Sequence, residues 1–284
     1  MTVGITKVSD LNSLFSQIYE DALFVARETN LMTRLVHHYS ARGWMARNIS
    51  IRPTIEAAVK AEGQDFASPT VFGKSLKATL TPAMYMAQAI LTDEELATDP
   101  DETARDAASE LGNAIASKID KDLLEDFNDF TTDKGPGAGT AASIAKFAGA
   151  LTYLRAKNVP NPIRVVLHPY AWLDIWTELG TPAGTYAFLG DLANKALKDF
   201  YVGSWLNVEW FTSANIEIDD DDDVVNGVFN PGALAFDSRK APAKEVERDP
   251  SRLAYEYNMS AGYAHGVRRD EFGVGYTCDA TEPS

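Results

Sequence analysis

The chain has 284 residues, 45% hydrophobic and 24% charged, which is enough apolar material for one large core or two modest ones. A net charge of −15 argues against a duplex-binding face, because the basic residues cluster only at Arg268-Arg269. No apolar run approaches the ~20 residues that span a bilayer. A single cysteine, Cys278, excludes an intrachain disulfide and a cysteine zinc cluster, and fits a reducing compartment.

The first 24 residues contain Lys7 but no apolar stretch with a small-residue cleavage site, so they do not read as a secretory signal. Residues 8–36 predict a helix, with Leu11, Leu14, Phe15, Ile18, Ala22 and Val25 at helical spacing. Such a stripe must dock on something, a second subunit included. From about 45 the period changes to two. Ile49 and Ile51 alternate with polar residues and the pattern runs on to Val59; a turn-rich segment (60–73) follows, and then Leu76, Ala78 and Leu80 alternate again. This predicts a hairpin with a long tip, marginal on its own and therefore laid on a neighbour.

Residues 99–127 carry the clearest local signal. Asp99 can cap, Pro100 suits the first helical position, and Asp101 and Glu102 complement the helix dipole. Ala104, Ala108, Leu111, Ile115, Ile119, Leu123 and Phe127 form one stripe on a helix roughly 40 Å long. The glycine-rich segment 131–143 reads as a linker between two lobes. The second lobe alternates types: helix over 143–158, buried strand over 163–167, helices over 169–179 and 191–200, and strands over 205–211 and 224–230. Period two returns over 252–279. Leu253, Tyr255, Tyr257, Met259, Ala261 and Tyr263 share one face, and a turn near Arg268–Glu271 predicts a hairpin packed beside the long helix.

The segments that resemble reaction chemistry are weak. VFGKS (71–75) ends like a phosphate loop, but Ser68 stands where the first glycine belongs and a strand follows. GPGAGT (135–140) follows a helix rather than a strand, so it reads as linker. His37 and His38, adjacent on a helix, point to different sides and cannot share a metal from one face. His168 ends a strand without an elbow or a paired carboxylate, and Cys278 has no identifiable base. Five aspartates, Asp219–Asp223, do not follow the ligand spacing of a calcium loop, and their repulsion favours an extended, solvated connection; a weak cation site is the sharper alternative.

The parts that remain are a docking helix, a projecting arm, a spine helix and a returning pair of strands, all shaped for contact with copies of the same chain. Their order resembles the major capsid proteins of tailed bacteriophages, a fold shared with encapsulins. VVLHPYAWLDIW (165–176) resembles the axial-domain strand and helix, NGVFNPGALAFDSR (226–239) the segment closing that domain, and YNMSAGYAHGVRRDEFGVGYTCDA (257–280) the final peripheral strands. The resemblance implies an α+β fold with an N-terminal arm (1–44), an extended β-hairpin loop (45–92), a peripheral domain with its spine helix (93–135), an axial domain (136–235) and return strands of the peripheral domain (236–284).

It further implies a structural protein and no enzyme, with no catalytic, cofactor or metal residues and no cofactor. Its first partner is itself, in pentamers and hexamers of an icosahedral shell around double-stranded DNA, in a virion assembled in the host cytoplasm. Portal, scaffold or decoration proteins are the other partners, and no membrane is involved. Acidity then keeps packaged DNA off the wall. Relatives with a cleaved N-terminal scaffolding segment place it before the first helix, where this sequence has none, so a separate scaffold or none is expected. Some relatives cross-link a lysine to an asparagine; Lys60, Lys74, Lys77 and Asn258 read instead as ordinary surface or interface residues. Two alternatives stand beside the capsid: an encapsulin-like compartment, and an acidic metal-dependent enzyme with Asp219–Asp223 and His168 as ligands.

Overall fold

The computed structural model describes residues 31–283, apart from 54, 61, 64, 66–70, 99, 181–200 and 206–207. Most of the helix expected over 8–36, and all of that over 191–200, lies outside the described residues. The rest of the first stretch is not helical: a 3-10 turn at Met32–Arg34 leads into strand β1 (His37–Ser40). Strands β2 (Arg47–Ile51), β3 (Ser75–Leu80) and β4 (Ala83–Thr92) follow, then helices α1 (Asp93–Thr98) and α2 (Pro100–Glu125). Helix α3 (Ile144–Ala156), β5 (Arg164–Leu167), α4 (Pro169–Gly180), β6 (Tyr201–Trp205), β7 (Val208–Thr212) and β8 (Asp223–Phe229) come next. Three strands close the chain, β9 (Leu234–Asp249), β10 (Ala254–Val267) and β11 (Gly273–Asp279).

Two larger sheets and the two-stranded β2-β3 arm organise these elements. The first has the order β1-β9-β10-β4, with β10 antiparallel to both neighbours and β1 parallel to β9. Alternation puts Tyr257, Met259, Ala261 and Tyr263 of β10 on the face that α2 covers, and all four are buried as the period-two pattern predicts. Leu253 is the exception; it turns at a positive φ of 49° and stands 62% exposed. The second sheet has the order β11-β8-β5-β7-β6. Phe147 of α3 stacks on Tyr276 of β11 at 3.7 Å and meets Trp210 of β7 at 5.2 Å.

The long helix belongs to both sheets. Ala108, Leu111, Ile115, Ile119 and Leu123 form the predicted stripe and are buried. A 3-10 turn, Asp126–Asp129, then carries Phe127 to within 5.4 Å of the Phe229 ring in β8. Gly227 lies beneath Phe127, where any side chain would occupy the ring's space. One continuous cluster therefore runs from Leu91 and Met259 to Val165 and Tyr276.

Four expectations are corrected. Strand β2 stops at Ile51 instead of running to Val59, since Pro53 removes a ladder donor. The arm is β2 with β3 alone; β4 leaves it and joins β10, because its inward Tyr85, Ala87 and Ala89 pack on the core cluster around α2. The last two strands are no hairpin: β11 pairs with β8 in the other sheet, and β10 pairs with β9 and β4. Segment 131–143 is not a loose linker. It runs alongside β11, with Lys134 N donating to the Gly275 carbonyl (3.0 Å), Gly137 N to that of Thr277 (3.1 Å), and Asp279 N to that of Thr140 (2.9 Å).

Leu123 is fully buried where both sheets meet the helix. Leu123→Ala is expected to lower unfolding stability by about 2–5 kcal/mol in urea titrations, with far-UV spectra unchanged.

Candidate functional site

The sequence candidates for chemistry resolve into structural roles. His168 ends β5 and is buried; its backbone N donates to Asn226 Oδ1 at 2.7 Å and its Nδ1 accepts from Tyr170 N at 3.3 Å. Burial holds its pKa below the ordinary value, so it is neutral. Asn226 Nδ2 also lies 3.2 Å from Cys278 Sγ, which brings the two candidates to one asparagine. The thiol is nevertheless pushed up to about 12, by burial first, the opposite of what a nucleophile needs. His37 and His38 alternate along β1, not along a helix, and rest on Tyr39 and Phe236. Lys74 precedes a strand rather than a helix, which removes the phosphate-loop reading.

The aspartate run is a tight turn. Its ends pair backbone to backbone, Asp219 N donating to the Asp223 carbonyl at 2.9 Å, and Asp222 adopts a φ of 61°. Asp219 Oδ1 accepts from the backbone N of Asp221 (3.0 Å) and Asp223 (2.8 Å). The buried Asp223 carboxylate accepts from Gly139 N at 2.6 Å. The two ends thus hold the turn, while Asp220, Asp221 and Asp222 are exposed. Among the described residues, no three His, Cys, Asp or Glu side chains converge where a metal could bind, so His168 and the aspartates do not form the ligand set weighed above.

Three further buried aspartates, two on the long helix and one in the 3-10 turn that ends it, escaped the sequence reading. Asp120 accepts from Met32 N at 2.8 Å and from Asn215 Nδ2 at 2.9 Å. Asp122 accepts from the Tyr263 hydroxyl (2.6 Å) and pairs with Lys118 (2.5 Å). Asp126 lies 2.9 Å from His265 Nδ1, and its second oxygen is buried without a hydrogen bond. Burial alone would depress His265; the hydrogen bond and charge of Asp126, with Asp122 and Glu125 nearby, raise it above 6.5 instead.

What the fold leaves uncovered is apolar. Met84, Met86 and Ile90 alternate along the outer face of β4, an edge strand, and are 50%, 64% and 42% exposed. They extend a strip about 20 Å long. Trp44 continues it by lying against Gly262, the residue paired with Met84 in register; a side chain at 262 would collide with the indole. The arm is barer still. Ile49 and Leu80 at its root are buried against Ala235 and Ala264, but Ile55, Val59, Val71, Phe72 and Leu76 face outward. Exposed apolar surface on this scale marks a site of association.

No protein-family model matches the sequence, and no curated protein matches it. Solved structures do. A structure of Mycobacterium phage Che8 is 20% identical, with 87% of this chain and 90% of that one covered at a TM-score of 0.66. The acid-stable capsid of Helicobacter pylori bacteriophage KHP30 covers 87% and 88% at 11% identity and a TM-score of 0.68. The encapsulin complex of Synechococcus elongatus covers 89% of each chain at 10% identity and a TM-score of 0.57. The chain has the HK97-like major capsid protein fold. Phage capsids, a GTA particle and an encapsulin are among the solved structures that share this α+β fold. Within the major capsid fold, the exposed arm and the β4 face are the candidate site.

Two outcomes test this description. The raised His265 pKa means that the charged ring stabilises the fold; the contribution is complete below the unfolded value of 6.5 and fades as pH rises through the folded value. The stability gap between the native chain and His265→Gln should therefore be widest below pH 6.5 and narrow as pH rises above it in thermal melts. Asp219→Ala should destabilise by about 1–3 kcal/mol in urea titrations, as two backbone donors lose their acceptor, whereas Asp221→Asn should not.

Proposed function

We propose that this chain is the major capsid protein of a tailed phage, whose copies close into an icosahedral shell of pentamers and hexamers around double-stranded DNA. One observation carries the reading: a chain with a shell-forming fold leaves an arm and a sheet face bare that its own core does not cover. In this assignment residues 1–44 are the N-terminal arm, 45–92 the extended loop with β4 returning it to the first sheet, 93–135 the peripheral domain with α2 as spine, 136–235 the axial domain, and 236–284 the return of the chain. The peripheral assignment suits β9 and β10, which lie in the sheet that α2 covers; β11 instead lies in the second sheet, paired with β8.

Assembly follows from surface chemistry. Each arm lays Val71, Phe72 and Leu76 on a neighbouring copy, and the strip from Trp44 to Ile90 receives such a segment. Modest contacts repeated around a ring close it without any single strong one. Portal, scaffold or decoration proteins would bind the finished lattice, in particles assembled in the host cytoplasm. The net charge of −15 leaves DNA enclosed rather than bound. The encapsulin match supports a second reading, a compartment that holds protein cargo.

Negative-stain microscopy of the purified chain is expected to reveal uniform hollow shells. Replacing residues 53–73 by a short Gly-Ser turn, or Met86 by Asp, should leave a folded subunit that no longer assembles. Nuclease-resistant double-stranded DNA in native particles supports the phage reading, and enclosed protein supports the compartment. A monodisperse compact monomer at every concentration would sink both.

A further inference from the structure

The chain is strongly acidic, yet its charge reverses at the root of the arm. Arg47 of β2 and Arg239 of β9 both bind the fully buried Asp237 carboxylate, at 2.6 and 2.7 Å. One carboxylate between two guanidinium groups leaves a positive charge over. Arg239 also has its Nε buried without an acceptor. Arg268 adds a second charge, since its partners are neutral: the Tyr39 hydroxyl at 2.8 Å and the Gly232 carbonyl at 3.2 Å. Lys74 adds a third, exposed at the start of the arm's return strand, with no ion pair among the described residues. Arg47, Lys74 and Arg268, with Tyr39, Asn48, Ile49 and Ser50, line one cleft of about 310 Å³. Among the described residues no carboxylate lines it; the nearby Glu271 is engaged by Lys77 at 3.6 Å.

Elsewhere on the same chain the opposite imbalance is displayed. Asp219 and Asp223 are consumed in holding their turn, but Asp220, Asp221 and Asp222 project with no ion pair among the described residues. Three adjacent like charges repel, and the turn needs only its two ends. Their use lies outside the molecule that carries them.

We propose that the cleft at the arm's root is a carboxylate-binding site and that its occupant is the Asp220–Asp222 turn of a second copy. The inference rests on the shell reading above. Each feature is uncompensated alone, and each supplies what the other lacks. The cleft and the turn are different surfaces, so the contact is heterologous, the kind that propagates around a ring until it closes. A nucleic-acid strand fits the cleft less well: phosphate tracking takes cations spaced along a face, whereas here they converge on one point. The contact also explains why Arg47 is held by Asp237. A guanidinium fixed at one edge is already oriented before a carboxylate arrives at the other, which lowers the entropy lost on docking.

Cysteine cross-linking tests the contact directly. Cys278 is buried, its thiol pushed up to about 12, so it does not compete. Lys74→Cys copies mixed with Asp221→Cys copies, assembled and oxidised, should give intermolecular disulfides that neither variant gives alone. In parallel, Lys74→Glu should raise the subunit concentration needed for assembly by roughly two- to fivefold, the range of an exposed ion pair, and Asp221→Lys should restore it. Both substitutions are at exposed positions, and thermal melts confirm that the subunits remain folded. Shells that form without mixed disulfides, or a Lys74→Glu defect that Asp221→Lys leaves unrepaired, overturn the contact while the shell reading stands. Lys74-dependent binding of a short DNA duplex without mixed disulfides overturns it in favour of phosphate. Failure of the native chain to form shells removes the shell reading and this contact with it.

Discussion

The structure depends on one helix serving two sheets. Helix α2 covers the inner face of the first sheet, and the 3-10 turn at its end puts Phe127 against the second. An ordinary amphipathic helix has one buried stripe and one wet face. This one buries the wet side of its last turns as well, so Asp120, Asp122 and Asp126 find partners inside the protein. Buried carboxylates are costly unless hydrogen-bonded. Here the bonds reach Met32, Asn215, and Tyr263 with His265 on β10, three separate parts of the chain. They tie the entry segment, the loop after β7 and the central strand β10 to one rod, and fix how the sheets sit on it.

Around that rod the second lobe is closed by its own termini. Strand β11, the last of the chain, lies between β8 and the segment after the long helix, which it engages through backbone hydrogen bonds. Asn226 in β8 joins the ends of β5 and β11, giving His168 and Cys278 a shared polar partner in an otherwise apolar layer. These residue types invite a catalytic reading. Their surroundings remove it, because burial neutralises the imidazole and suppresses the thiolate.

With the interior so fully used, the exterior is left with specialised work. Apolar side chains that would normally be turned inward stand on the arm and on β4, while charge separates into an acidic turn and a basic cleft. A monomer gains nothing from either arrangement. In the proposed assembly both become favourable once copies meet, the first through area removed from water and the second through steering and register. Under the same proposal, the overall negative charge keeps subunits apart until those specific surfaces align.

The sequence by itself determined the elements whose signal is local. The α2 stripe, helix α3, buried strand β5, the helix begun by Pro169 and the alternating β10 could all be read from spacing, caps and short apolar runs, because each signal lies within the element itself. It also placed the aspartate run in a solvated connection between strands, though as an extended one, where backbone pairing of Asp219 with Asp223 makes a tight turn. Only the tertiary structure decided which strand pairs with which. His37–Ser40 carries a helical neighbourhood in sequence but is pulled into an edge strand by β9, and β9 itself is half charged, so its sixteen residues give no periodicity. Strand β11 follows β10 by a short turn yet crosses to the other sheet. The inward aspartates were missed for the same reason. A carboxylate on a helix reads as solvent-facing unless its partners are known, and those partners lie 88 to 141 residues away in the chain.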